Sequence, residues 1–271
     1  MDKLSYKIFK NGSVTFFTAS LFFPKKIQED VFDLYAFVRV FDDFIDSVPQ
    51  QTAEYYNLKS EYYKAVKGGV VDNSIVMRFV ELQNQRQFEQ PWIDAFFKSM
   101  EQDITKHDYN ELSETLDYIY GSAEVIGLMM AKIMKLAPES YPYAKALGKA
   151  FQYMNMIRDI NEDQKFARTY LPANHYKQFG LQNLTFEEVN AKSEQFQKFI
   201  QSEIERYWVW RKEAEQGFKF IPKRLRIPVE AAALMFDTTI RKISDNPMLV
   251  FNSKVKPTKP EVVVSLVKSI F

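Results

Sequence analysis

The segment Val40–Gln50, VFDDFIDSVPQ, places three aspartates among residues typical of a buried helix, and it stops at Pro49. Around it, apolar residues from Ile27 to Val48 recur at steps of three and four, which is the spacing of one face of an α-helix. At about 100° per residue, Asp42 and Asp46 fall together on a different side of that helix. Carboxylates four residues apart repel each other, so something else must offset their charge.

A second pair with the same spacing, Asp159 and Asp163, lies in QYMNMIRDINEDQKF (152–166). Gln152 and Asn155 join it in one polar stripe of the helical wheel. A solvated acidic helix face is the alternative interpretation of either pair alone, but both pairs lie in long, apolar-rich helices. Mg²⁺ binds carboxylate oxygens and usually completes its coordination with water and substrate phosphates. We therefore predict two or three Mg²⁺ ions, with Mn²⁺ as the alternative ion, that clamp a diphosphate and let a C–O bond ionise.

Composition excludes several other classes of protein. The 271 residues are 46% hydrophobic with a net charge of +1, which is typical of a globular protein and gives no reason to expect a nucleic-acid partner. Without Cys there is no thiolate metal site and no Cys nucleophile. The N-terminus has no apolar signal core, and no run of 18 apolar residues occurs, so we expect a cytoplasmic protein.

Helical spacing continues through most of the chain, and only 8 glycines interrupt it. The longest segments with this spacing are 112–136, 143–166 and 186–217. We predict one all-α domain over residues 1–271, with roughly nine or ten helices. A di-iron helical bundle would need Glu-x-x-His motifs, and neither His107 nor His175 has Glu three residues before it.

Four segments resemble the motifs of the phytoene/squalene synthase family, the head-to-head prenyl synthases. They are SVTFFTASLFFP (13–24), LYAFVRVFDDFIDS (34–47), YGSAEVIGLMM (120–130) and LGKAFQYMNMIRDINEDQKFARTYLP (147–172). Together they extend over much of the chain in the order that the family has. The resemblance implies an α-helical isoprenoid synthase bundle with a central cavity, in which two prenyl diphosphates condense with Mg²⁺.

The resemblance also implies roles for particular residues. The metal ligands would be Asp42, Asp46, Asp159 and Asp163, with Asn155 added. The catalytic positions would be Tyr35, Arg39, Tyr120, Gln152 and Arg168. The substrate-binding positions would be Ser13, Thr15, Phe16, Ser20, Arg39, Asn155, Arg158 and Phe236. Two residues depart from the family pattern: Glu124 stands where many relatives have Gly, and Phe236 stands where many have Tyr.

Two further features of the sequence favour one product over the alternatives. Squalene synthases need NADPH, and because this chain has no dinucleotide fingerprint, NADPH is not expected. In relatives the position of Ser20 faces the pocket, and a small residue there leaves room for a longer chain. We therefore favour geranylgeranyl diphosphate and phytoene. The alternatives are a C15-using dehydrosqualene, hydroxysqualene or squalene synthase, a terpene cyclase, and a non-catalytic scaffold of the same fold.

The expected partners are prenyl diphosphate substrates and a lipid surface. The products of such reactions are too apolar to leave into water, so we expect peripheral contact at the inner face of the membrane. The basic, apolar C-terminal segment LVKSIF is the candidate for that contact.

Overall fold

The computed structural model describes residues 2–252 and 254–270, and this part of the chain is helical almost throughout. The α-helices are α1 (Lys3–Gly12), α2 (Val14–Ser20), α3 (Lys25–Ile45), α4 (Thr52–Val66), α5 (Ser74–Arg86), α6 (Gln90–Thr105), α7 (Leu112–Ile119), α8 (Val125–Ile133), α9 (Tyr141–Arg158), α10 (Ile160–Asp163), α11 (Ala173–Gln178), α12 (Phe186–Ala191), α13 (Ser193–Glu215), α14 (Lys223–Asp245), α15 (Leu249–Asn252) and α16 (Lys259–Ile270). The predicted all-α class is confirmed. The predicted domain limits, Met1 and Phe271, lie outside the described residues.

The three long segments of helical spacing are each divided, which the sequence prediction missed. A π-helical turn, Tyr120–Glu124, separates α7 from α8, and breaks at Asp159 and Lys192 separate α9 from α10 and α12 from α13. At Asp159 the backbone leaves the helix, yet Asp163 N still donates to Asp159 O at 2.8 Å. Because the spacing of side chains continues through such a break, periodicity alone cannot detect it. The number of helices was accordingly underestimated.

Helices α6 and α9 approach the π turn so closely that glycine is required at the contacts. A Cβ on Gly121 would lie 2.0 Å from the carbonyl oxygen of Ala95 in α6. A Cβ on Gly148 of α9 would lie 2.4 Å from the carbonyl oxygen of Ala123. Both distances are far below contact distance, so the backbones of these three elements pack directly against each other.

Aromatic side chains fill the cores on both sides of this central group. On one side Phe37 stacks on Phe79, with 3.6 Å between the ring centroids, and Phe41 meets Phe97 edge to face at 5.0 Å. On the other side α9 packs against α13, where Tyr207 and its neighbours are fully buried. Most of the aromatic surplus is therefore core, and these rings hold α3 and α9 in place.

The segment after α10 runs beside the connection between α6 and α7. Thr169 N donates to His107 O and Ala173 N donates to Tyr109 O, both at 2.8 Å, and the hydroxyl of Thr115 donates to Tyr170 O at 2.8 Å. These bonds bring the end of α10 to the ends of α3 and α6, which is where the candidate site forms.

The last helix, α16, lies on α14. The Lys242 ammonium on α14 meets the Glu261 carboxylate at 2.6 Å, and that carboxylate also accepts from Thr258 N at 2.6 Å. These donors lower the pKa of Glu261 to about 2, with the hydrogen bond from Lys242 the largest cause. In residues 2–252 and 254–270 no helix combines the length and the apolarity that crossing a bilayer requires.

We expect the contribution of Glu261 to stability to disappear in acid. Because the folded state lowers its pKa from 4.5 to about 2, the contribution is complete above the unfolded pKa and is lost as the pH falls through the folded one. The difference in free energy of unfolding between the wild type and Glu261→Gln should therefore be constant above about pH 5.5 and shrink toward about pH 2. Urea denaturation at a series of pH values measures it, and a difference that does not change with pH would contradict the assignment.

Candidate active site

Both predicted aspartate pairs lie where a helix ends. Asp46 directly follows α3, and its N–H donates to Asp42 O at 2.8 Å. Asp159 directly follows α9, and its N–H donates to Asn155 O at 2.8 Å. The C-terminus of a helix carries partial negative charge from its unpaired carbonyl groups. Each carboxylate therefore adds to the partial negative charge of a helix end. A site with this much negative charge favours a bound cation.

The two pairs are linked through one residue. Arg168 N donates to Asp163 O at 3.1 Å, and Nη1 of the same residue binds the Asp46 carboxylate at 2.8 Å. Burial raises the pKa of Asp163 well above its ordinary value, and the charges of Asp159 and Asp46 raise it further. Burial, followed by the charge of Asp46, raises the pKa of Asp42 to about 8. The role of these four aspartates as metal ligands stays a prediction.

Arg168 lies inside the protein, where it joins the ends of two helices. Its Nη1 donates to the Asp46 carboxylate at 2.8 Å, and its Nη2 donates to Ile45 O and Asp103 O, each at 3.1 Å. The side chain is only 4% exposed. In this structure the guanidinium thus neutralises helix ends and one carboxylate of the first motif, and its predicted contact with a diphosphate remains a prediction.

Asp103 is a member of the site that the sequence analysis missed. It is buried near the end of α6, and its carboxylate accepts from the hydroxyls of Tyr118 and Tyr170, each at 2.8 Å. Burial raises its pKa to about 6, although Arg168 and both tyrosines act in the opposite direction. The signal was present: Asp103 lies on the same helical face as Phe96 and Met100, where an acid is exceptional.

Other charged residues of the motifs are paired within the chain. Arg158 binds Asp159 with two hydrogen bonds, of 2.7 and 2.5 Å, and Arg39 binds Asp43 at 2.6 Å. Asp43 was the aspartate of VFDDFIDSVPQ not assigned to metal binding. Its pairing with Arg39 gives it another role, while Asp159 would have to share its carboxylate between Arg158 and a metal ion.

The two tyrosines predicted as catalytic positions, Tyr35 and Tyr120, differ in exposure. Tyr35 stacks on Phe9 at 3.9 Å, and burial raises its pKa to about 12, so it remains a proton donor at neutral pH. Tyr120 opens the π turn and is partly exposed, with the Lys145 ammonium 5.2 Å from its ring centroid. The same π turn holds Glu124, which is buried.

Two ion pairs explain how the Glu124 carboxylate can be buried. Its carboxylate forms ion pairs with Lys145 at 3.3 Å and with Lys149 at 3.0 Å, both from α9. The departure from the family pattern at this position thus joins the π turn to α9. Burial without these partners would be costly for a carboxylate.

The remaining predicted positions form two groups. Phe16 and Phe236 lie 5.2 Å apart, and Phe151 stacks on Phe236 at 4.1 Å, so the predicted pocket residues do meet. On α9, Asn155 donates to Gln152 at 3.4 Å. At the N-terminal side, Ser13 caps α2 by accepting from Phe16 N at 3.3 Å, Thr15 is half-buried two residues further on, and buried Ser20 donates to Phe17 O at 2.7 Å. A central cavity between these groups remains a prediction.

The donor set fits a hard divalent cation in its chemistry. Asp42, Asp46, Asp159, Asp163 and Asn155 offer only oxygen ligands, which Mg²⁺ prefers. Among the described residues, no three acidic or histidine side chains converge closely enough to form a ready-made metal centre. Binding of metal ions by these residues stays a prediction.

A model of the squalene/phytoene synthase family matches residues 9–261. The chain belongs to this family. Phytoene synthase 2, a chloroplastic protein of Solanum lycopersicum, is 32% identical over 186 residues, which cover 65% of this chain and 59% of that relative. A 15-cis-phytoene synthase of Pantoea ananas is 28% identical over 267 residues, which cover 92% of this chain and 84% of that one. The chain thus spans about three fifths of the length of the first relative.

The fold of the family is shared as well. A dehydrosqualene synthase solved with a ligand superposes with a TM-score of 0.86 at 22% identity, over 98% of this chain and 93% of that one. The predicted isoprenoid synthase fold and the predicted membership in a family of prenyltransferases are therefore confirmed.

Arg168→Met should destabilise the protein. The substitution leaves two helix-end carbonyls without their buried donor, while the half-exposed Asp46 carboxylate can be hydrated, so the free energy of unfolding should fall by about 1–3 kcal/mol. The matched control is Arg39→Met, which breaks a half-exposed pair and should cost at most about 1 kcal/mol. Urea denaturation measures both, and equal losses would show that Arg168 does not join these helix ends.

Proposed function

We propose that this protein catalyses the Mg²⁺-dependent head-to-head condensation of two prenyl diphosphates, and that its substrate is geranylgeranyl diphosphate and its product phytoene. The observation that carries the proposal is that Arg168 links the two aspartate motifs, through Asp163 O and the Asp46 carboxylate, in a chain of the squalene/phytoene synthase family. The named phytoene synthases among its relatives support the choice of product.

In this proposal Asp42, Asp46, Asp159, Asp163 and Asn155 hold the metal ions. Bound Mg²⁺ would neutralise the charge that develops on a departing diphosphate. The carboxylates keep the diphosphate end of each substrate at the ends of α3 and α9. Arg168 holds Asp46 in position through its 2.8 Å bond, so it acts here on a ligand rather than on the substrate.

The prenyl chains of the substrates would lie against the aromatic side chains of Phe16, Phe151 and Phe236. The C1–O bond of one substrate breaks, its allylic cation bonds to the double bond of the other, and a proton leaves to give a cyclopropylcarbinyl diphosphate. The second diphosphate then leaves, the cyclopropylcarbinyl cation rearranges as a ring bond breaks and the two C1 carbons become joined, and loss of another proton gives phytoene without a reductant. The ring faces of Phe16, Phe151 and Phe236 are suited to stabilise cations and exclude water.

The decisive experiment is product analysis by mass spectrometry with C15 and C20 diphosphates, each with and without NADPH. We expect phytoene from the C20 substrate, no requirement for NADPH, and no diphosphate release once the metal is chelated. Dehydrosqualene, hydroxysqualene or squalene from the C15 substrate would replace the proposed product. Absence of diphosphate release with both substrates would indicate the scaffold alternative.

Asp42→Asn should lower kcat at least about a hundredfold, because an amide is a weaker metal ligand than a carboxylate. Its thermal midpoint should not fall, since burial already disfavours a charged group at this position and Asn is neutral. The neighbouring Asp43→Asn is the matched control: that side chain is exposed and binds Arg39, so kcat should stay within about threefold. Steady-state diphosphate release measures both variants. Similar losses in the two would remove Asp42 from the ligand set.

A further inference from the structure

Helix α16 has its hydroxyl side chains inside and three of its four valines outside. Its face toward the protein contains buried Ser265 and Ser269. Four apolar side chains on the other face are exposed to between 40% and 57%, namely Val263, Val264, Val267 and Ile270. An amphipathic helix on the surface of a globular protein ordinarily has the opposite arrangement.

The inner face of α16 is complete without these valines. The Ser265 hydroxyl donates to Glu261 O at 2.9 Å and the Ser269 hydroxyl donates to Leu266 O at 2.7 Å, so both are satisfied within the helix. Val262 and Leu266 pack against a small cluster of α2 and α14 that is rich in alanine. The outward apolar residues therefore contribute little to holding α16 on the protein.

Lysines border the apolar stripe on both sides. At about 100° per residue, the stripe from Ile270 to Val264 covers about 120° of the helix. Lys259 falls about 20° beyond one edge and Lys268 about 40° beyond the other, and both are exposed. Such lysines can extend their ammonium groups to phosphates while their stems lie along apolar surface.

We propose that the outward face of α16 docks the protein on an anionic lipid surface, with the valines at the acyl boundary and Lys259 and Lys268 at the headgroup phosphates. This is the arrangement of a helix that lies in the membrane interface. This docking rests on the proposed function: a C40 hydrocarbon product would leave the protein for an apolar phase, which the lipid bilayer supplies.

The size of the stripe favours lipid over a second copy of the chain. A helix of 12 residues is about 18 Å long, so a stripe about 10 Å wide offers on the order of 200 Å². A stable protein interface needs about 800 Å² from each partner. A lipid surface sets no such requirement, since it adapts to the side chains that enter it.

The test is sedimentation of the full chain with vesicles of phosphatidylcholine alone or mixed with phosphatidylglycerol. We expect binding to the mixed vesicles, and Val263→Ser/Val267→Ser should weaken it about tenfold or more, because two apolar side chains no longer enter the lipid. The matched control is Val70→Ser/Val209→Ser, two valines exposed on other elements, and it should bind like the wild type. Lys259→Gln/Lys268→Gln should lose about fivefold per lysine on the mixed vesicles only.

Three results would overturn the proposal: no binding of the wild type to the mixed vesicles, equal binding by Val263→Ser/Val267→Ser, or a dimer in light scattering that this variant abolishes. Thermal melting verifies that the variants fold. Because the replaced valines are exposed, the melting temperature should stay close to that of the wild type. Diphosphate release in detergent reports the proposed function independently. A protein active in detergent that ignores vesicles would contradict only the docking surface, and one that binds vesicles without turnover would contradict only the reaction.

Discussion

The charge balance at Arg168 is the constraint on which the site depends. Its guanidinium meets the last carbonyl of α3, a carbonyl near the end of α6, and the carboxylate of Asp46. Helix ends and carboxylates would otherwise repel each other in a region with little water. Because Arg168 lies five residues after the end of α10 and its N–H donates to Asp163 O at 3.1 Å, the same residue also holds the second aspartate motif near the first.

One guanidinium does not balance the whole region. Burial is the largest cause of the raised pKa values of Asp42, Asp103 and Asp163, and the charge of Asp46 raises all three further. Protons can relieve this excess of negative charge, and divalent cations can relieve it while leaving every carboxylate ionised. In the proposed function, cations and a diphosphate that enter together would supply that balance.

Local spacing was enough to predict the helices and both aspartate pairs, because those features depend on residues only a few positions apart. The break at Asp159 escaped prediction since the hydrogen bond from Asp163 continues the helical register across it. The partners of Arg168 lie 65 to 123 residues away along the chain, so only tertiary structure can reveal them. Helix α16 illustrates the same limit, because the spacing of its apolar residues does not show that Val263, Val264 and Val267 face outward.

The glycines of the central helices have a consequence for how such an enzyme can diverge. At Gly121 and Gly148 the neighbouring backbones leave no room for a methyl group, so these positions cannot vary without moving a helix. The rings of Phe16, Phe151 and Phe236 contact one another mainly through side chains, and their size can change while the backbone stays in place. In the proposed function these rings border the substrate chains, so evolution, or a designer of mutant libraries, could change the accepted chain length there while the glycine contacts preserve the scaffold.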